Sequence, residues 1–191
     1  MKTQTLFRLG AIATILTAIG YFVGEAIYIF ADAKTLFFAW FFIIVSVFQV
    51  FAYFALYAAQ AKRGEIFLFI GFILSMINLL QAFMDSERRL AVRTDLVSEA
   101  QLAQALNISS FAVLQLVGYF SLVLGWILFG VGVIRTGIFP RGAGVLMILT
   151  GITLMIRDYF FPFEYIFALL SSAAYGWLGW ALWNKPQDIA P

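Results

Sequence analysis

Glu25 lies inside a long apolar run, and a carboxylate in that setting is the side chain of this chain best placed to do chemistry. An intramembrane carboxylate costs about 2.5–3.5 kcal/mol on insertion scales, so it should face a bundle interior or a wet cavity. It reads as a proton or cation site, as a contact to a ligand headgroup, or as half of an ion pair with Arg157 at a similar depth. Asn78 and Gln81 stand three apart and therefore share a helical face. With Gln49, Gln115 and the neighbouring Arg157 and Asp158 they make up the polar set from which a pathway could be lined. Their plainer reading is interhelical hydrogen bonding, worth about 0.6 kcal/mol on average.

The absences narrow the chemistry further. The chain has no cysteine and no histidine. That removes thiolate catalysis, disulfides, iron–sulfur ligation, the commonest metal ligand and the usual general base. No spacing assembles a nucleophile, a base and an oxyanion donor. A membrane enzyme would need Glu25, Asp85, Asp158 and Arg157 to converge, so a non-enzymatic protein is expected. No motif demands a cofactor or a metal, and bound lipid is the expected ligand.

The elements that must position these residues are six long apolar runs, which fill most of the 191 residues. At 63% hydrophobic and 12% charged, the chain reads as a polytopic all-α membrane protein, a six-helix bundle in one domain. The runs cover about 9–30, 36–59, 66–83, 111–134, 142–156 and 163–183. They are continuously apolar, whereas barrel strands alternate over about 10 residues. The start of the chain resembles a signal peptide, but the run from Leu9 outlasts a typical h-region, so a retained first helix is expected. The fifth run is short and could extend through Arg157, Asp158 and Phe161 until Pro162 stops it. The long connection 84–110, with Leu102 and Leu106 at an i, i+4 spacing, is expected to be partly helical and to lie outside the hydrocarbon.

Charge sets the orientation. Lys2, Arg8, Lys62, Arg63, Arg135, Arg141 and Lys185 would share the side of both termini; Lys34, Arg88, Arg89, Arg93 and Arg157 would lie opposite. The positive-inside rule then favours both termini in the cytoplasm. The formal net charge of +2 forms no basic stripe with stacking aromatics, so nucleic acid is not an expected partner.

Small residues mark candidate packing faces. Gly20 with Gly24, and Ser172 with Gly176, are small-xxx-small pairs, while Gly118, Gly125 and Gly132 recur every seven residues and share a face. They serve packing within the bundle, or docking to another subunit or a second copy. Trp177, Trp180 and Trp183 cluster at the end of the last run, where an interfacial belt is expected. Sliding the chain by seventy-three residues sets the second and third runs on the fourth and fifth, with Gly64 on Gly137. The hydropathy matches, but the identities do not exceed what this composition gives, so no repeat is inferred.

The segment Arg135-Thr136-Gly137-Ile138-Phe139-Pro140-Arg141, followed by Gly144, resembles a turn signature of a family of bacterial multi-pass membrane proteins of unknown function. That pattern is Arg, Ser or Thr, Gly, two variable residues, Pro and Arg between the fourth and fifth helices. The match is specific over about 118–151 and only hydropathic elsewhere. The resemblance implies a six-helix bundle in a prokaryotic cytoplasmic membrane and supplies no substrate. Physically, Gly137 permits a positive φ, Pro140 suits the first turn of the next helix, and Arg135 and Arg141 can meet lipid phosphates. The functional expectation is an accessory or scaffold subunit that docks membrane partners or a lipophilic ligand. The alternative is a small transporter with an outer-side polar path around Glu25.

Overall fold

The computed structural model describes residues 3–30, 36–94, 96, 98, 100–101, 104, 109–157 and 162–184. Their regular structure is helical: α1 (Thr3–Phe30), α2 (Leu36–Gln60), α3 (Ile66–Arg93), α4 (Ser109–Thr136), α5 (Arg141–Arg157) and α6 (Pro162–Asn184), with a 3₁₀ turn at Ala61–Arg63. Five contain apolar spans long enough to cross a membrane. The sixth, α5, has 17 residues, the lower limit for a crossing. The chain is therefore a polytopic helical membrane bundle.

Each helix packs against its neighbours in sequence, and α6 closes the ring on α1. The turns from α2 to α3 and from α4 to α5 lie at the end of the bundle that holds the start of α1 and the finish of α6. That end is called the terminal end below. Two contacts fix it: Arg135 Nε donates to Glu65 Oε1 at 2.7 Å, and the Thr136 hydroxyl donates to Gln60 Oε1 at 2.6 Å. On the opposite flank the Arg8 guanidinium sits 5.7 Å from the Trp183 ring centroid, joining the start of α1 to the finish of α6.

Both turns contain a left-handed glycine, Gly64 at φ 61° and Gly137 at φ 64°. These are the two residues that the seventy-three-residue slide superposes. Any other residue there would bring its Cβ against the backbone. Pro140 stands immediately before the first residue of α5, just outside the first turn where the sequence reading puts it, and its carbonyl accepts from the Ala143 N–H at 3.0 Å. A proline lacks an N–H, so this position costs no helical hydrogen bond.

The largest departure from the sequence reading concerns α3. It does not stop near Phe83 but continues unbroken to Arg93, so the first part of the long connection extends α3. Ser86–Arg93 contain no Gly or Pro, and a formed helix propagates through good helix formers at little cost. With 28 residues α3 is about 42 Å long, exceeding a hydrocarbon core of about 30 Å, so its charged last two turns project beyond it. Leu102 and Leu106 lie outside the described residues.

Inside and outside are set apart by size and polarity more than by hydropathy. Leu6, Phe22, Phe37, Phe51, Leu80, Leu116 and Leu169 are among many large apolar side chains turned outward. Small residues bring the backbones together. Gly118, Gly125 and Gly132 all face α3: a Cβ on Gly118 would meet Gln81, one on Gly125 would lie 2.9 Å from the Ser75 hydroxyl, and one on Gly132 would lie 2.5 Å from Leu68 Cα. From the other side Gly71 meets the Phe129 backbone. Gly20 and Gly24 face α2 at Val45 and at Phe41 and Phe42. Gly176 has only Ala18 Cβ nearby, at 3.9 Å, so close approach does not depend on it.

Candidate functional site

The polar residues of the interior converge on an aromatic and amide hub near the middle of the bundle. Three tyrosines placed in mid-helix carry hydroxyls that must find partners away from water. Gln49 of α2 serves two of the three: its Nε2 donates to the Tyr175 hydroxyl of α6 at 2.9 Å and to the Tyr21 hydroxyl of α1 at 3.0 Å. The Tyr21 hydroxyl also lies 3.2 Å from Gln49 Oε1, to which it can donate. Tyr21 stacks on Tyr175 with ring centroids 5.7 Å apart and an interplanar angle of 10°. Trp126 of α4 meets Tyr175 edge-on at 5.1 Å, and Tyr53 meets Phe129 edge-on at 5.1 Å. Such pairs are worth about 0.5–1.5 kcal/mol beyond their buried area.

The hub holds more hydrogen-bonding capacity than it uses. The Tyr53 hydroxyl, the Ser75 hydroxyl and the Trp126 indole N–H are buried without a protein partner of good geometry, although Ser75, Tyr175 and Gln49 surround the Tyr53 hydroxyl. Each bare group costs about 1–3 kcal/mol. By contrast, most buried hydroxyls elsewhere bond back to their own helix: Thr14 to the Gly10 carbonyl at 2.7 Å, Thr17 to Ala13 at 2.8 Å, and Ser171 to Phe167 at 2.7 Å. These satisfy themselves and mark no site.

Glu25 sits one turn from Tyr21, toward the end opposite the termini, and is only 7% exposed. It is thus a buried acidic residue one helical turn from the hub along α1. Asn78 and Gln81 are engaged elsewhere. Asn78 Nδ2 donates to the Gly118 carbonyl at 3.5 Å and Gln81 Nε2 to the Gln115 carbonyl at 3.4 Å, both long bonds onto α4. Glu25 belongs to α1, which packs on α2 and α6. Arg157 closes α5, but its side chain, like that of Asp85 and the whole of Asp158, lies outside the described structure.

Toward the terminal end the hub is sealed. Leu56, Leu68, Val133, Leu178 and Leu182 are all 1% exposed or less and form a dry layer between the tyrosines and the Gln60–Thr136 bond. Below it, Arg135 is committed to Glu65 and rests over the Phe67 ring at 5.0 Å, while Arg141 is exposed at the start of α5. Trp177, Trp180 and Trp183 point outward on α6. Gln49 belongs to the polar set read from the sequence, whereas Tyr21, Tyr53 and Tyr175 are not among the residues that reading singles out. Their signal was position, since an anchoring tyrosine belongs near a helix end and these stand well inside.

Among the described residues no three Asp or Glu side chains gather as metal ligands. The hub can hold, orient and hydrogen-bond. Compared with protein-family models, with curated proteins and with solved structures, the chain has no match.

Proposed function

We propose that this chain is a non-enzymatic accessory or scaffold subunit of a prokaryotic cytoplasmic membrane, with both termini inside, that docks membrane partners or a lipophilic ligand. The supporting observation is the close packing of the described interior residues. The hub, the leucine and valine layer and the Gln60–Thr136 bond occupy the bundle axis, whereas concave apolar surface lies on the outside between helices. A protein that acts through its outer faces needs no internal path. The basic turns at the terminal end support the orientation, and the resemblance of the Arg135–Arg141 turn supports the prokaryotic setting.

Native mass spectrometry after gentle extraction from the source membrane tests this reading. A co-purifying membrane protein or bound lipophile is expected. A protomer carrying neither would overturn it.

Glu25, 7% exposed beside the hub, favours a second reading, a small transporter loading from the end opposite the termini. Proteoliposome flux decides it. Solute or proton flux abolished by Glu25→Gln would support transport, and flux unchanged by that substitution would remove Glu25 from any such mechanism.

A further inference from the structure

An apolar groove of about 700 Å³ runs between α1 and α2 on the outside of the bundle. Its floor is made of small residues, Gly10 and Ala13 on α1 and Ala55 and Ala58 on α2, and Leu9 and Phe54 stand among its walls. The floor is low because Gly10 and Ala55 are in direct contact, with no room for a Cβ on Gly10. The larger neighbours then rise on either side as ridges. Every lining residue is Leu, Ile, Val, Phe, Ala or Gly, so nothing in the groove can hydrogen-bond a polar ligand through its side chain.

Its length selects an occupant. The lining runs from residue 6 to 16 on α1 and from 48 to 58 on α2, ten residues of rise on each. At 1.5 Å per residue that is about 15 Å, half of a hydrocarbon core of about 30 Å. The groove therefore matches one leaflet, the one at the terminal end.

Its charged end selects a headgroup. Phe51, Ala55 and Ala58 continue at helical spacing to Lys62, one turn beyond the groove, with Arg63 beside it. Both are exposed and neither has a carboxylate partner among the described residues. The described residues of the terminal end carry five cations, Arg8, Lys62, Arg63, Arg135 and Arg141, against one carboxylate, Glu65, which Arg135 already holds. Arg8 faces Trp183 on the other flank of α1, so Lys62, with Arg63 next to it in sequence, is the cation that continues the groove face.

We propose that the α1–α2 groove binds an anionic phospholipid of the terminal-end leaflet, one acyl chain lying on Gly10, Ala13, Ala55 and Ala58 and the phosphate held by Lys62 and Arg63. This inference deepens the reading of the chain as a docking protein by naming one lipophilic ligand and its seat. It is measured on the isolated protomer, so a chain that docks a protein partner but shows no lipid preference overturns this inference alone.

The test is native mass spectrometry of the full chain from detergent micelles containing equal phosphatidylglycerol and phosphatidylcholine. The expected result is a retained phosphatidylglycerol adduct, favoured by about five-fold for each of the two cations. K62Q/R63Q should lose that preference while still retaining either lipid, and Ala58→Trp, at an exposed position in the groove, should lose the adduct. Equal retention of the two lipids by the wild type would overturn the proposal. So would an undiminished preference in K62Q/R63Q, a surface change that does not touch the core and reads out even if Ala58→Trp fails to fold. A wild-type dimer that Ala58→Trp dissociates would also overturn it, by seating a second copy in the groove.

Discussion

Replacing Gly132 by Ala tests the packing logic of the bundle at its tightest seam. The new Cβ would lie 2.5 Å from Leu68 Cα, 2.6 Å from Leu68 Cβ and 2.7 Å from the Leu68 nitrogen. Carbon atoms prefer separations of about 3.5–4.0 Å, so α3 and α4 would have to part by roughly 1 Å. Backbone atoms cannot rotate away as a side-chain tip can. Parting the helices would also loosen Gly71 against Phe129 and Gly125 against Ser75 along the same seam. Overpacking of this kind costs about 1–3 kcal/mol. Alanine returns about 0.5–1 kcal/mol through its lower conformational entropy in the unfolded chain. A net loss of about 1–2 kcal/mol is therefore expected. Gly176→Ala is the matched control: its Cβ meets only Ala18 Cβ, at ordinary contact distance, so it should be neutral or stabilising by up to about 1 kcal/mol. Equilibrium unfolding in mixed micelles, followed by tryptophan fluorescence, measures both. A Gly132→Ala protein as stable as the parent, or more stable than Gly176→Ala, would refute the seam as the limiting contact.

Two further substitutions address the polar contacts. Gln49→Leu removes the amide that serves the Tyr21 and Tyr175 hydroxyls and should cost about 1–3 kcal/mol; adding Tyr175→Phe should recover part of that loss in the same unfolding assay, and full additivity of the two changes would show that the hub is not coupled. A double-mutant cycle of Glu65→Ala and Arg135→Ala should give a coupling of only about 0.5–1 kcal/mol, because the Arg135 side chain is 55% exposed and well screened. A coupling near zero would leave the Gln60–Thr136 bond as the tie between the two turns.

The sequence by itself determined the class of the protein. Continuous apolar runs long enough for a bilayer permit only helices that satisfy their own backbones, and that argument needs no tertiary information. It also located the left-handed turn at Gly137, which follows one apolar run and precedes the next; the matching turn at Gly64 came from the structure. The seven-residue recurrence of Gly118, Gly125 and Gly132 marked one face of α4 before its partner was known.

The tertiary structure decided which helices meet and what lies between them. In a helix apolar on every side, lipid-facing and bundle-facing positions share the same hydropathy, so periodicity cannot name the inner face. Only small and polar residues betray it, and they do not say what they face. Gly118, Gly125 and Gly132 could have met any helix; they meet α3 because it offers Leu68, Ser75 and Gln81 at matching heights. Tyr21, Gln49 and Tyr175 are separated by 28 and 126 residues along the chain and become a site only when α6 closes the ring on α1. The length of α3 was legible in composition but not chosen by it, since Ser86–Arg93 could have formed a separate surface helix. Continuing an existing helix adds one hydrogen bond for each residue fixed, whereas starting another requires a new nucleus, and that difference extended α3 beyond the hydrocarbon.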